Sequence, residues 1–272
     1  MQIFIRPQLP PLIITSAGQF TVCNSAYEIH EWLTPGTMDI SDGFVICDPT
    51  GYLLHRYDKI FRRGGYTVKT FDTGNISECS SYNPLAYLRA DKDIPKLVTA
   101  FIRNTDSFCC PGDIKFRTAE TSLLAALFGY VANEIKADEL NIGTVIEMLK
   151  YMRIDSGWGD YGDYDHKHAV DIIFEDLREH APYSYPSQRY EDFKMTAWHV
   201  ANLVVDSCIL RLKPFADNSI KDRFSTDELG LDSFGFGSKT ALFVSPCAGG
   251  YFDFLVPLLY TQLFDLLCEA SV

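Results

Sequence analysis

Apolar residues recur along this chain with two different periods, and the period changes twice. Gly43–Asp48 (GFVICD) runs four apolar residues together and ends on an acid and Pro49, which predicts a buried strand with a polar carboxyl end. Tyr52–Arg63 brings Leu53, Tyr57, Ile60 and Phe61 near one face of a helix, which Gly64-Gly65 stops. Tyr66–Phe71 alternates and predicts a second strand. Together the three segments make a βαβ unit. Helical spacing then takes over, with helices predicted at Ile94–Asn104, Thr118–Lys136, Ile142–Met152 and His166–His180. One long helix is predicted over Tyr190–Leu212, its stripe running from Tyr190 through Phe193, Ala197, Val200, Val204 and Cys208 to Leu212, and Pro214 ends it. No strand is expected from about residue 90 to 235. Ala241–Val244 then reads as a strand and Phe252–Glu269 as a final helix. Ahead of Gly43 the pattern is thin, with a short strand at Leu12–Thr15 and a short helix at Ala26–Leu33. The expectation is therefore an α/β pattern split by an all-helical insertion.

Composition sharpens this picture. The 272 residues are 47% hydrophobic, enough to bury the core of one or two domains. The formal net charge of −12 works against tight, autonomous binding to a phosphate backbone. Arg56, Lys59, Arg62 and Arg63 form the densest basic face, which reads first as a solvated helix surface. The 8 cysteines include no C-x-x-C pair, and Cys109 and Cys110 are adjacent, which suits neither a metal nor a bridge. Several lie in apolar runs (Cys47, Cys208, Cys268) and read as small buried residues in a reducing compartment. No run reaches the ~20 apolar residues of a membrane span, and the proline-broken N-terminus makes a poor signal peptide, so the chain taken alone is expected to be soluble.

Two stretches and two single residues invite chemistry. SFGFGSKTALFV (Ser233–Val244) has the residue types of a phosphate-binding loop, but Ser238 separates Gly237 from Lys239 and the glycines precede a strand rather than a helix. DYGDYDHKH (Asp160–His168) gathers carboxylates and imidazoles without EF-hand or H-E-x-x-H spacing, so a polar loop leading into a helix explains it equally well. No G-x-S-x-G is present, and His199 lies within a long apolar helix. Asp48 stands apart, since an acid at the end of a buried strand is placed to meet a ligand, or else to cap the following helix.

The ordered stretches GFVICDPTGYLLHRY, RRGGYTVKTFDTGN and SYNPLAYLRADKDI, with KTALFVSP and FDFLVPLLYTQLFDLLCE later, resemble the TraG/TraD-type coupling proteins of type IV secretion and conjugation. The likeness runs from about Gly43 to Glu269. It implies a partial RecA-like parallel sheet (43–90 and 236–272), interrupted by an all-α substrate-recruiting domain (91–235), after a divergent segment (1–42). It also implies a hexamer on the cytoplasmic side of the inner membrane, with ATP and Mg as cofactors of the intact family. Its partners would be relaxase or secreted effector proteins, secretion-channel components and DNA.

The departures fall on the catalytic motifs. The best upstream candidate for a phosphate loop, LIITSAGQF (Leu12–Phe20), has one glycine and no G-K-[ST]. The family's D-P-K-G-E is D-P-T-G-Y here, and its Walker B acid would fall beyond Val272. Asp48 and Gly51 are the positions that the resemblance leaves at the edge of a nucleotide site; it supplies no catalytic residue, no metal ligand and no cofactor for this chain alone. The expected activity is that of a coupling-protein portion without ATP hydrolysis of its own, or of an adaptor that binds relaxase or effector segments through its helices.

Overall fold

The computed structural model describes residues 12–16, 19–23, 43–106, 114–154, 169–234 and 239–270. The chain divides into two compact units, Met1–Ser81 with Asp227–Val272, and Tyr82–Thr226 between them.

The first unit is built on one five-stranded sheet: β1 (Leu12–Ser16), β2 (Gln19–Cys23), β3 (Gly43–Cys47), β4 (Thr67–Asp72) and β5 (Thr240–Ser245), in the order β2-β1-β3-β5-β4. Strands β3, β5 and β4 are parallel, with Val45 opposite Leu242 and Thr70 opposite Phe243. The late strand thus lies between the two early ones. The expected partial parallel sheet is these three strands, and β1 and β2 form an antiparallel hairpin that adds to β3 on one side. The alternation of Gln19-Phe20-Thr21-Val22 carried that signal.

Phe44, Val45 and Ile46 are buried on both faces, as are Ala241 to Val244, which is why both read as unbroken apolar runs. Helix α1 (Tyr52–Arg63) covers one face. There Phe61 meets the rings of Phe44, Tyr66 and Phe243 edge-on, at centroid distances of 5.3, 5.2 and 5.8 Å. At its end the amide of Tyr66 donates to the carbonyl of Phe61 and that of Gly65 to Arg62, a Schellman turn that needs the positive φ of Gly65. The last helix of this unit, named α8 below, spans Leu255–Ala270, three residues shorter at its start than the sequence pattern suggested.

The second unit contains α2 (Ile94–Asn104), α3 (Ile114–Glu134), α4 (Ile142–Ile154), α5 (Ala169–His180), α6 (Tyr185–Lys194) and α7 (Trp198–Leu212), with no strand among its described residues. The predicted single helix over Tyr190–Leu212 is two helices. The chain bends through Met195-Thr196-Ala197, and Tyr190 and Phe193 serve one axis while Val204, Cys208 and Leu212 serve another. Helices α3 and α6 approach closely at Gly129, where an added Cβ would stand 3.1 Å from Pro186. The two ends of the unit meet, the amide of Tyr82 donating to the carbonyl of Arg223 at 2.8 Å. The short helix expected at Ala26–Leu33 lies outside the described residues.

Candidate functional site

In open α/β sheets ligands gather at the carboxyl ends of the parallel strands. In the first unit that edge carries Asp48 after β3, Asp72 and Thr73 at the end of β4, and Ser245 and Cys247 at the end of β5. Asp48 is 1% exposed. Its amide donates to Val244 (2.8 Å), tying it to the neighbouring strand. Its Oδ2 accepts from the amide of Leu54 (2.8 Å), in the first turn of α1, and its Oδ1 accepts from the Thr50 hydroxyl (3.4 Å). The carboxylate thus satisfies one of the orphan donors of the helix start and sits where the dipole favours negative charge. The residue in the N-cap position itself is Gly51, whose φ of 70° is left-handed and whose missing Cβ would meet nothing within 4 Å. Glycine is there for its backbone conformation, so that the chain can turn from strand to helix beneath Asp48.

The other strand ends are also tied down locally. Asp72 Oδ1 accepts from the amide of Gly74 (2.8 Å), and the Thr73 hydroxyl oxygen accepts from the amide of Cys247 (2.7 Å). Burial, with the adjacent Asp48 in support, pushes the Cys47 thiol up from its ordinary value, which keeps it protonated and a poor nucleophile at neutral pH. Lys239 and Thr240 lead into β5, as the strand reading of that stretch required. Most of the upstream phosphate-loop candidate, Leu12–Phe20, forms strand residues of the β1–β2 hairpin, with Ser16 opposite Gln19. A phosphate cradle needs a turn that opens a helix N-terminus, which a hairpin does not provide.

Asp160–His168, Cys109 and Cys110 lie outside the described residues, as does the side chain of His199. Among the described residues no group of three or more His, Cys, Asp or Glu could hold a metal ion. Cys208 is buried and Cys47 half-buried, whereas Cys268, expected to be buried, is exposed on α8.

Sequence reasoning missed the strongest polar constellation, which lies in the helical unit. Arg211 of α7 is 1% exposed and meets Glu120 of α3 through two bonds, Nε to Oε1 at 2.9 Å and Nη2 to Oε2 at 3.0 Å. Its Nη1 donates to the carbonyl of Ile102, the Thr105 hydroxyl and Asp106 (3.0, 2.9 and 3.2 Å), and the Ser207 hydroxyl donates to Glu120. The fork geometry of guanidinium and carboxylate joins three helix segments at one point. The signal in the sequence is the register. Glu120 precedes Leu123 and Leu124 by three and four positions, and Arg211 lies three after Cys208, so both charges fall on apolar stripes. A second buried acid, Asp171 on α5, accepts from the Tyr190 hydroxyl (2.9 Å) and from Lys194 (2.8 Å).

No protein-family model matches the chain, and no curated protein is significantly similar to it. Among the described residues no helix is long and apolar enough to cross a membrane.

Proposed function

We propose that this chain is an internal portion, or a degenerate paralogue, of a TraG/TraD-type coupling protein. In this reading the α/β unit is the remnant of a RecA-like domain, and the helical unit recruits relaxase or effector proteins for a secretion channel. The observation that carries the reading is the placement of β5. It follows the helical unit in sequence yet lies between β3 and β4 in parallel register, the arrangement expected of one nucleotide-binding sheet interrupted by an inserted domain. The order of the motifs from Gly43 to Glu269 supports it from the sequence side. Hexamer formation, attachment to the inner membrane, and the use of ATP, Mg and DNA belong to the intact family in this reading.

ATP turnover by this chain alone is not part of the proposal. Phosphoryl transfer needs a phosphate cradle, a magnesium ligand and a group that orients the nucleophile. Asp48, the best-placed acid, has both carboxylate oxygens engaged by Leu54 and Thr50, and Gly51 serves the turn. The expected result with purified chain and MgATP is no turnover above background. Robust turnover abolished by Asp48→Ala would overturn this assignment.

A protein-binding adaptor is the second reading, favoured by the self-contained helical unit with its own buried ion-pair centre. Capture of a cognate relaxase by the full chain, lost on substitutions at exposed positions of residues 82–226 and unaffected by nucleotide, supports the adaptor. Capture that requires nucleotide supports a working ATPase assembly instead.

A further inference from the structure

The exposed side of α1 concentrates positive charge on an otherwise acidic molecule. Tyr52, His55, Arg56, Lys59, Arg62 and Arg63 are all exposed, and their spacing of three, four, seven, ten and eleven residues from Tyr52 places them on one face of a single helix. Outside this helix the Lys and Arg residues of the α/β unit are Arg6, Lys69 and Lys239. Of these, Lys69 is half-buried and donates to the carbonyl of Leu229 (2.7 Å).

The stripe is also prepared for a partner. Among the described residues, Lys59 and Arg63 have no ion-pair partner; Arg62 has Asp58 beside it at 2.6 Å. Arg56 donates to the Tyr52 hydroxyl (3.2 Å) and lies 5.7 Å from the centre of the Tyr57 ring, contacts that hold its guanidinium along the helix.

From this face we infer a docking site for an acidic helical segment of a partner protein. Cations recurring every three or four residues stand about 5–6 Å apart, the same spacing that Glu or Asp residues have along one face of a helix. Two other polyanions fit less well. From Arg56 to Arg63 the helix rises only about 10 Å, enough for a few phosphates, while useful non-specific nucleic-acid affinity draws on about 6–10. The net charge of −12 opposes a long polyanion further. Single-stranded nucleic acid also needs several aromatic platforms, and this face offers Tyr52 alone. A bilayer surface needs apolar side chains to insert, and the apolar side of α1 (Tyr57 and Phe61) is already buried against the sheet. A short acidic helix asks only for the local charge and one aromatic at its end. Contacts of this kind are weak, screened by salt, and fast to form.

The test uses the full chain and a fluorescent 20-residue peptide with Glu at every third and fourth position. Anisotropy is expected to show binding that weakens as salt rises, and Lys59→Glu with Arg63→Glu to weaken it about tenfold. The neutral pair Arg56→Gln and Arg63→Gln guards against misfolding and is expected to weaken it less, with the circular dichroism of the parent. Lys213→Glu with Lys221→Glu, in the helical unit, is expected to leave it unchanged. Equal affinity of parent and α1 variants would overturn the inference. So would tighter binding to a labelled oligothymidylate or to anionic vesicles than to the peptide.

Discussion

The two units of this molecule both pack aromatic rings, but they differ in the polar group that they bury. The α/β unit seals α1 onto its sheet with aromatic rings, and its buried acid, Asp48, is pushed to the edge, where a helix start needs it. The helical unit packs rings as well, Phe101 against Phe128 and Phe174 against Tyr190, and in addition buries a complete guanidinium–carboxylate pair, with every guanidinium nitrogen engaged. Rings can slide or repack at modest cost, whereas a forked ion pair holds only one alignment of the helices that carry it. The difference teaches that the helical unit adds polar geometry to the ring packing that both units share.

That contrast can be broken at its strongest points first. Glu120→Leu removes the forked carboxylate from buried Arg211, leaving Asp106 as its remaining acid, and is expected to cost about 3 kcal/mol in urea unfolding followed by circular dichroism. Adding Arg211→Met to the same chain should restore at least half of the loss, because both desolvation penalties then disappear together. Phe61→Ala is expected to cost about 3–5 kcal/mol as well, through the hole it leaves among Phe44, Tyr66 and Phe243, and no second truncation nearby should restore it. Rescue of Phe61→Ala by a neighbouring truncation, or failure of rescue at Arg211, would erase the distinction between the units.

Alkali probes both units at once. Burial first, and then the neighbouring Asp171, pushes the Tyr190 phenol far above its ordinary value. Burial, with Cys47 second, does the same to Tyr260 of α8. A raised pKa in the folded state means that these contributions are fully present below about pH 10, the unfolded value, and are lost as pH climbs beyond it. Alkaline titration of stability should therefore fall above that point, and Asp171→Asn should make the fall less steep for the helical unit. At the small end, Asp48→Ala is expected to cost about 1 kcal/mol by removing the acceptor for the Leu54 amide. Gly51→Ala should cost a similar ~1 kcal/mol purely from its left-handed backbone, since the space for a methyl is open.

Much of this was legible in the sequence where one physical signal ruled. The bounds of α1 and α2 match the periodicity and the glycine or proline punctuation residue for residue. The split sheet was legible because β3 and β5 are buried on both faces and so appear as unbroken apolar runs. The hairpin partner β2 was lost because five residues of alternation resemble a loop when a glycine precedes them. The break between α6 and α7 was lost because Ala197 fits a stripe in either direction, and neither Met195 nor Thr196 is a breaker. At the candidate site, the position of Asp48 could be read but its bond to Leu54 could not, since capping and ligand binding call for the same residue in the same place. The Glu120–Arg211 pair escaped because each charge marks only its own apolar stripe, and nothing local pairs residues ninety-one positions apart.

The bond that joins Tyr82 to Arg223 has a consequence for how the chain finds its fold. Between β4 and β5 lie well over a hundred residues, and closing so long a loop in one step would be slow. Once the helices have gathered, however, the loop is already closed from within, and the ends it presents are as near as those of a tight turn. The late strand then searches a short tether rather than a long coil, so an insertion that looks like an interruption serves as a delivery device for the strand that completes the sheet.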